Sequence, residues 1–165
     1  MEYGLWKLGR SDFDDIKTVR TAVFVDEIGM NASDVFDLMD GYAAHLLWLD
    51  EKGNPIGTVR MYPSENHSIR FDNLCVIPSA RGRGTGELML RMLLDRTTRM
   101  GKRDIIAYVP ENYESYFSKL GFGSNERYTD NEGSTLVKMK IVNDAVPAHS
   151  CHCCGEHSHG HGGET

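Results

Sequence analysis

Residues 68–100 read SIRFDNLCVIPSARGRGTGELMLRMLLDRTTRM, and the order of textures in this run sets the fold class. Ser68 to Ile77 is a mostly apolar run that stops at Pro78, a residue with no N–H to give a sheet. The glycine-rich Arg81-Gly82-Arg83-Gly84-Thr85-Gly86 follows, then a strongly amphipathic stretch from Glu87 to Met100. Strand, glycine loop, helix is the order, and it predicts an α/β (α+β) domain. Where such a helix starts, free backbone N–H groups and the helix dipole favour an anion, and glycines let the backbone approach a phosphate. No Lys-Ser/Thr pair follows, so this is not a P-loop. A dinucleotide fingerprint would sit in a first βαβ unit with an acid about 20 residues on, a role Asp95 and Asp104 fit poorly. Taken alone, the glycine pattern suits a phosphate cradle and a tight turn needing positive φ equally well.

Reading outward, Tyr3 to Leu8 is a short mixed apolar stretch. Ser11 is placed to cap a helix whose first turn holds Asp12, Asp14 and Asp15, acids that complement the positive helix start. Phe13, Ile16, Val19, Val23, Phe24 and Ile28 then fall on one helical face, with Gly29 as the stop. Residues 30–42 fit a short helix or an ordered loop. AAHLLWL at 43–49, the turn residues EKGNP, and IGTVRMY at 56–62 predict a hairpin. Beyond the long helix, Arg103 to Val109 predicts a strand, ENYESYFSKLGF a short helix closed by Gly121, and STLVKMKIV at 134–142 a last alternating strand. Periodicity stops after Pro147, which predicts a folded domain at 1–146 and a separate tail at 147–165.

The 165 residues suffice for one domain, and 40% hydrophobic with 25% charged residues is ordinary for a globular chain. A net charge of −6 argues against coating nucleic acid, which needs a basic surface. No apolar run reaches the roughly 18 residues of a membrane span, and the start MEYGLWKLGR lacks a secretory pattern. With Cys75 alone in the body, the expectation is a cytoplasmic protein without nucleic-acid or membrane partners, a homodimer being compatible.

Leu74-Cys75-Val76-Ile77-Pro78, then Arg81-Gly82-x-Gly84-x-Gly86, then Asn112 and Tyr116-Phe117-Ser118-Lys119-Leu120-Gly121-Phe122, resemble the GCN5-related N-acetyltransferase (GNAT) family over about residues 3–142. Val19-Arg20, Val23-Phe24-Val25-x-Glu27, Asp37, Asp40, His45 and Gly57-Thr58-x-Arg60 look like the branch that contains the YjcF-like and ElaA-like proteins. Acyl-homoserine-lactone synthases share a similar spacing, which keeps that type of acyl transfer as an alternative. A plainer reading has Phe24 and Val23 in the core and Arg20 in an ion pair with Asp37 or Asp40. The resemblance implies a mixed, twisted central sheet flanked by helices, with acetyl-CoA held where two neighbouring strands part. It further implies that the backbone of Leu74, Cys75 and Val76 bonds the pantetheine arm. The N–H groups of Arg81, Gly82, Arg83, Gly84, Thr85 and Gly86 would take the pyrophosphate, and Asn112 and Phe117 would border the cofactor.

Acetyl transfer to the amine of a small molecule or protein needs a base for the amine and a donor for the oxyanion. Asp72, where related enzymes often carry a glutamate, is the expected base, unless its side chain alternates outward to solvent. Glu27, Asp37, Asp40 and His45 are further candidates for holding a cationic acceptor or relaying a proton. Many members have a tyrosine where this chain has Phe117, and one helical step of about 100° turns the Tyr116 hydroxyl elsewhere. Tyr113, Tyr108 or water then protonates the departing thiolate, or it leaves without a dedicated acid. Cys75, on an apolar strand, reads as a small buried residue rather than a nucleophile.

The tail supplies His149, Cys151, His152, Cys153, Cys154, His157, His159 and His161, ligands that suit zinc, copper or nickel. Their spacing lacks the paired CxxC of a structural zinc finger, so an exchangeable site is expected. Phe117 in place of the usual tyrosine adds a second reading: a metal-handling or metal-sensing protein on an acetyltransferase scaffold with little turnover.

Overall fold

The computed structural model describes residues 1–101 and 104–142. The chain runs β1 (Tyr3–Leu8), α1 (Asp14–Arg20), α2 (Ala32–Val35), β2 (Ala44–Leu49), β3 (Pro55–Pro63), β4 (Ile69–Val76), α3 (Thr85–Arg99), β5 (Ile105–Pro110), α4 (Glu114–Lys119), β6 (Gly123–Thr129) and β7 (Thr135–Ile141). The strands form one seven-stranded sheet in the order β1-β2-β3-β4-β5-β7-β6. Every pairing is antiparallel except β4 with β5, so the sheet is mixed, as expected.

Helices cover both faces at the middle of the sheet, where β2 and β3 are buried on both sides. Leu46, Val59, Ile69, Phe71, Ile105, Val137 and Met139 turn to one side, where Met89, Leu90 and Leu93 of α3 and Phe117 of α4 close the main core. On the other side α1 buries Ile16 against Leu47 and Leu49, and Val19, with Val23 just beyond the helix, against Cys75. Leu93 is fully buried, and cutting it to alanine would cost about 2–5 kcal/mol.

Two local features depart from expectation near the N-terminus. Ser11 caps nothing: its N–H donates to the Leu8 carbonyl in a turn, and α1 begins at Asp14 with Phe13 at the N-cap and no side-chain cap. The helix also widens after Arg20 into a π-helical segment, Thr21–Glu27, in which the Ile28 N–H reaches back five residues to Val23. That widening rotates the apolar face, so Val23 stays buried while Ile28 is 60% exposed. Gly29, at φ +83°, follows it.

Residues 30–42 combine both expected forms, α2 and then a 3-10 turn at Leu38–Gly41. Asp37 accepts from the Met39 N–H at 2.9 Å while Asp40 accepts from the Asp37 N–H at 3.2 Å, a reciprocal cap that fixes this loop. The sequence pattern gives no sign of β6, whose seven residues are all exposed and lack an apolar alternation. It forms because the Asp130 carboxylate accepts the Glu132 and Ser134 N–H groups, turning the chain into β7. Among the described residues no helix is long and apolar enough to cross a membrane. The expected domain boundary at 146/147 lies outside the described residues.

Candidate active-site cleft

β4 and β5 pair only at Ile69↔Ile105 and Arg70↔Ile106, then part. The cause lies in β4. Between Thr58↔Cys75 and Arg60↔Asp72 the pairing with β3 accommodates one extra residue on β4, and Asn73 takes φ +50°. A bulge bends its strand and switches side-chain parity. Phe71, before it, enters the α3-side core, whereas Cys75, after it, packs against Val19 and Val23. Once β4 bends away, its β5-facing edge from Asp72 to Val76 has no strand partner. The opening is a cleft of about 1040 Å³ whose walls include Phe24 and Met30, Asp72 to Val76, and Tyr108 with Phe117.

At one end of the cleft lie Arg81, Gly82 and Gly84 to Glu87. Gly84, the N-cap of α3, has φ +80° and no side chain to cap with, so the first N–H groups of the helix are left without a side-chain cap at this end of the cleft. Open space surrounds Gly82 and Gly84, so both demands read from the sequence meet here: positive φ and room for an anion. The loop is held from outside. Arg81 donates to the Val76 carbonyl at 2.8 Å and grips Glu27 with two bonds of 2.7 and 2.6 Å, and that pairing holds the Glu27 carboxyl below its usual range. Thr85 is buried and its hydroxyl donates to Glu2 at 3.2 Å, leaving its backbone for the ligand side. Arg83 turns away from the cleft, bonding the Ser79 carbonyl.

Midway along β4 sits a charged network. Arg20 and Asp40, both fully buried, pair at 2.7 Å. Arg60 gathers three carboxylates: Asp40 at 3.0 Å, Asp37 through bonds of 2.6 and 3.1 Å, and Asp72 through bonds of 2.7 and 2.8 Å. Burial opposes the charge on Arg60, but the bonds to Asp72 and Asp37 outweigh it and raise its pKa. The same bonds draw the Asp37 carboxyl below its ordinary range. Arg20 donates to Nδ1 of His45 at 3.0 Å, and since a guanidinium only donates, Nδ1 accepts and Nε2–H donates to the Asp40 carbonyl at 3.1 Å. His45 is therefore neutral, and burial pushes its pKa down. Tyr62 donates to Asp72 at 3.0 Å, its own hydroxyl pushed up to about 12 by burial and the neighbouring carboxylate.

Asp72 thus faces the cleft where β4 and β5 begin to part, with Arg60 and Tyr62 behind it. Glu27 stands at the other end, both oxygens on Arg81. Tyr113 also belongs to the loop end, within electrostatic reach of Arg81. Tyr116 differs from expectation: it lines the cleft, its hydroxyl 3.6 Å from where a Gly86 Cβ would sit, because the short helix presents two successive rings to a wide opening. Phe117 lines the cleft and packs edge-on to Phe122. Asn112 is exposed on the 3-10 turn Glu111–Tyr113, outside the lining residues. Cys75 is buried, and burial pushes its thiol up to about 12, which disarms it as a nucleophile. Reasoning from sequence passed over Asn73 and Tyr62. Asn73 lines the cleft with a buried Nδ2 that has no partner among the described residues, a donor left for a ligand. The eight tail residues from His149 to His161 lie outside the described residues, among which no cluster fit to hold a metal occurs.

A mixed sheet parted at its parallel pair, with a free strand edge leading to an uncapped helix start, defines an acyltransferase-type fold. The family model for the acetyltransferase (GNAT) domain matches residues 15–143. A Bacillus subtilis protein described as a candidate acetyltransferase is 28% identical over 131 residues, covering 78% of this chain and 88% of its own. The crystal structure of a candidate N-acetyltransferase from Lactobacillus plantarum superimposes with a TM-score of 0.79 at 22% identity, over 86% of this chain and 97% of that one. Escherichia coli ElaA matches with a TM-score of 0.72 at 19% identity, over 85% and 99%. An aminoglycoside 6'-N-acetyltransferase solved with coenzyme A gives 0.66 at 12% identity, over 84% and 97%. The chain belongs to the GNAT acetyltransferase family.

Proposed function

We propose that the protein transfers the acetyl group of acetyl-CoA to an amine of a small molecule or protein. The observation that carries this is the continuous track from the parted edge of β4 to the bare start of α3. Peptide-like pantetheine amides match the β5-facing edge of Leu74, Cys75 and Val76, where the Val76 carbonyl already accepts from Arg81, and the pyrophosphate matches the N–H groups from Arg81 to Gly86. The unpartnered Asn73 Nδ2 supplies a further donor to the cosubstrate. Coenzyme A bound to the aminoglycoside acetyltransferase neighbour supports the same choice of ligand.

In the reaction the amine lone pair attacks the thioester carbonyl carbon, the C–N bond forms as the C–S bond breaks, and the nitrogen sheds a proton. A carboxylate has about four acceptor sites. Asp72 uses three, two on Arg60 and one on Tyr62, so the remaining one accepts from the incoming amine and takes up its proton. Arg60 and Tyr62 fix the carboxylate in place, so aligning the amine needs no rearrangement of the site. Glu27 acts on the loop by holding Arg81. Tyr113 stands by the loop, so protonation of the thiolate falls to water in the open cleft. Release of free thiol from acetyl-CoA in the presence of an amine panel is the test. Amine-dependent thiol release supports the reading, and acetyl-CoA binding with no turnover on any amine would defeat it.

The residues from His149 to His161 are proposed as a metal-binding addition to this enzyme. Their donor set of thiols and imidazoles supports it. Equilibrium dialysis against zinc, nickel and copper, with the full chain and a version ending at Val146, tests it: equal metal uptake by both would refute the assignment.

A further inference from the structure

On the sheet face that carries Asp72, the cross-strand register sets out two rows. Arg60 lies opposite Asp72 and Tyr62 opposite Arg70 on β3 and β4. Beyond β4, Ile106 lies opposite Arg70, and Tyr108 follows two residues on, on the same face, across the cleft from Asp72. Arg70 and Asp72 are thus neighbours on one face, about 7 Å apart along the strand.

Arg70 is half-buried, and its guanidinium lies 4.5 Å from the centre of the Tyr108 ring and 6.0 Å from that of Tyr62. Its two companions on this side of the sheet, Arg20 and Arg60, are matched by carboxylates. Arg70 has no carboxylate partner among the described residues, and its Nε is buried without a hydrogen-bond acceptor. Cation–π contact with the two rings holds the guanidinium in place, and its terminal N–H groups, which bond no acceptor among the described residues, are left for an anion. Tyr108, the ring it rests on, lines the cleft, and Arg70 itself, at the edge of the lining residues, is the last paired position before β4 parts.

A cation waiting beside the residue that receives the amine selects acceptors that carry an anion next to the amine. Resting on the acetyl-transfer reading above, we propose that Arg70 binds the carboxylate of the acceptor and that the acceptor is a free amino acid. The amino group is held at Asp72 and the carboxylate at Arg70. The nitrogen attacks the thioester carbonyl, coenzyme A departs as the thiolate, and the amine proton passes to Asp72 and then to solvent, giving an N-acetyl amino acid. Phe24 and Met30, which also line the cleft, offer apolar surface to the side chain.

The test uses the full chain, acetyl-CoA, the twenty protein amino acids and the amines formed by their decarboxylation, with acetyl-CoA binding measured separately by calorimetry. The expected result is a kcat/KM at least about tenfold higher for one or more amino acids than for the matching amines, the value of one charge-assisted bond. R70Q should raise KM for those amino acids by about tenfold or more, leave the amines and acetyl-CoA affinity unchanged, and be partly rescued by R70K. Equal use of amino acid and amine, turnover of amines alone, or no turnover of any amino acid despite bound acetyl-CoA would overturn the assignment of Arg70. The first two results leave acetyl transfer standing. Failure of acetyl-CoA to bind would remove both.

Discussion

Asp72 owes its orientation to a contact that spacing along the chain does not show. An ion pair of Arg20 with Asp37 or Asp40 was one reading of the sequence, and Arg20 does pair with Asp40. That Arg60 joins Asp37, Asp40 and Asp72 depends on the register across β3 and β4, which the extra residue at Asn73 shifts. An asparagine in a strand is a weak sign of a bulge, so neither the bulge nor the network was legible. The roles predict different outcomes for two similar changes. Asp72→Asn should lower kcat by about 100-fold, within the usual range for a lost general base. Asp37→Asn removes as many bonds from Arg60 but no group in the cleft, and should leave kcat near the original. Equal losses in steady-state kinetics would show that Asp72 serves only the network. His45 gives a second prediction. Its folded pKa is depressed, so between about pH 6.5 and that lower value the unfolded ring takes a proton that the native ring refuses. Its contribution is present above that window and lost as pH falls through it, at up to about 1.4 kcal/mol per pH unit. Urea unfolding from pH 7 to 5 should show this slope, and His45→Asn, which keeps an acceptor for Arg20, should flatten it.

At the scale of elements, the strand, loop and helix at 68–100 were readable because each has a strong local signature: an apolar run closed by proline, three glycines, and a two-sided helix. β6 was not, since an exposed edge strand is specified by its partner and its turn instead of by apolar alternation. The π-helical turn after Arg20 was hidden for a related reason: the apolar spacing from Phe13 to Val23 fits an ordinary helix, and only packing against β4 shows the change of pitch. The loop offers the clearest test at this scale. Gly84→Val places a branched side chain at φ +80° and a Cβ in the open space proposed for the phosphate. It should cost about 1–2 kcal/mol of stability, from the left-handed backbone alone, and abolish acetyl-CoA binding in calorimetry while the far-ultraviolet circular dichroism stays native.

At the scale of the molecule, one sheet with helices on both faces accounts for the cleft, its loop and its charged wall without drawing on the histidine- and cysteine-rich segment beyond it. A chain ending at Val146 should therefore bind acetyl-CoA as the full chain does, and zinc should not alter that affinity. The cleft itself is the central claim, and calorimetric titration of acetyl-CoA into the full-length protein tests it most directly. The account predicts saturable binding of one molecule per chain with a Kd of about 10 μM or tighter, near −7 kcal/mol. No heat and no saturation at about tenfold that concentration would contradict it.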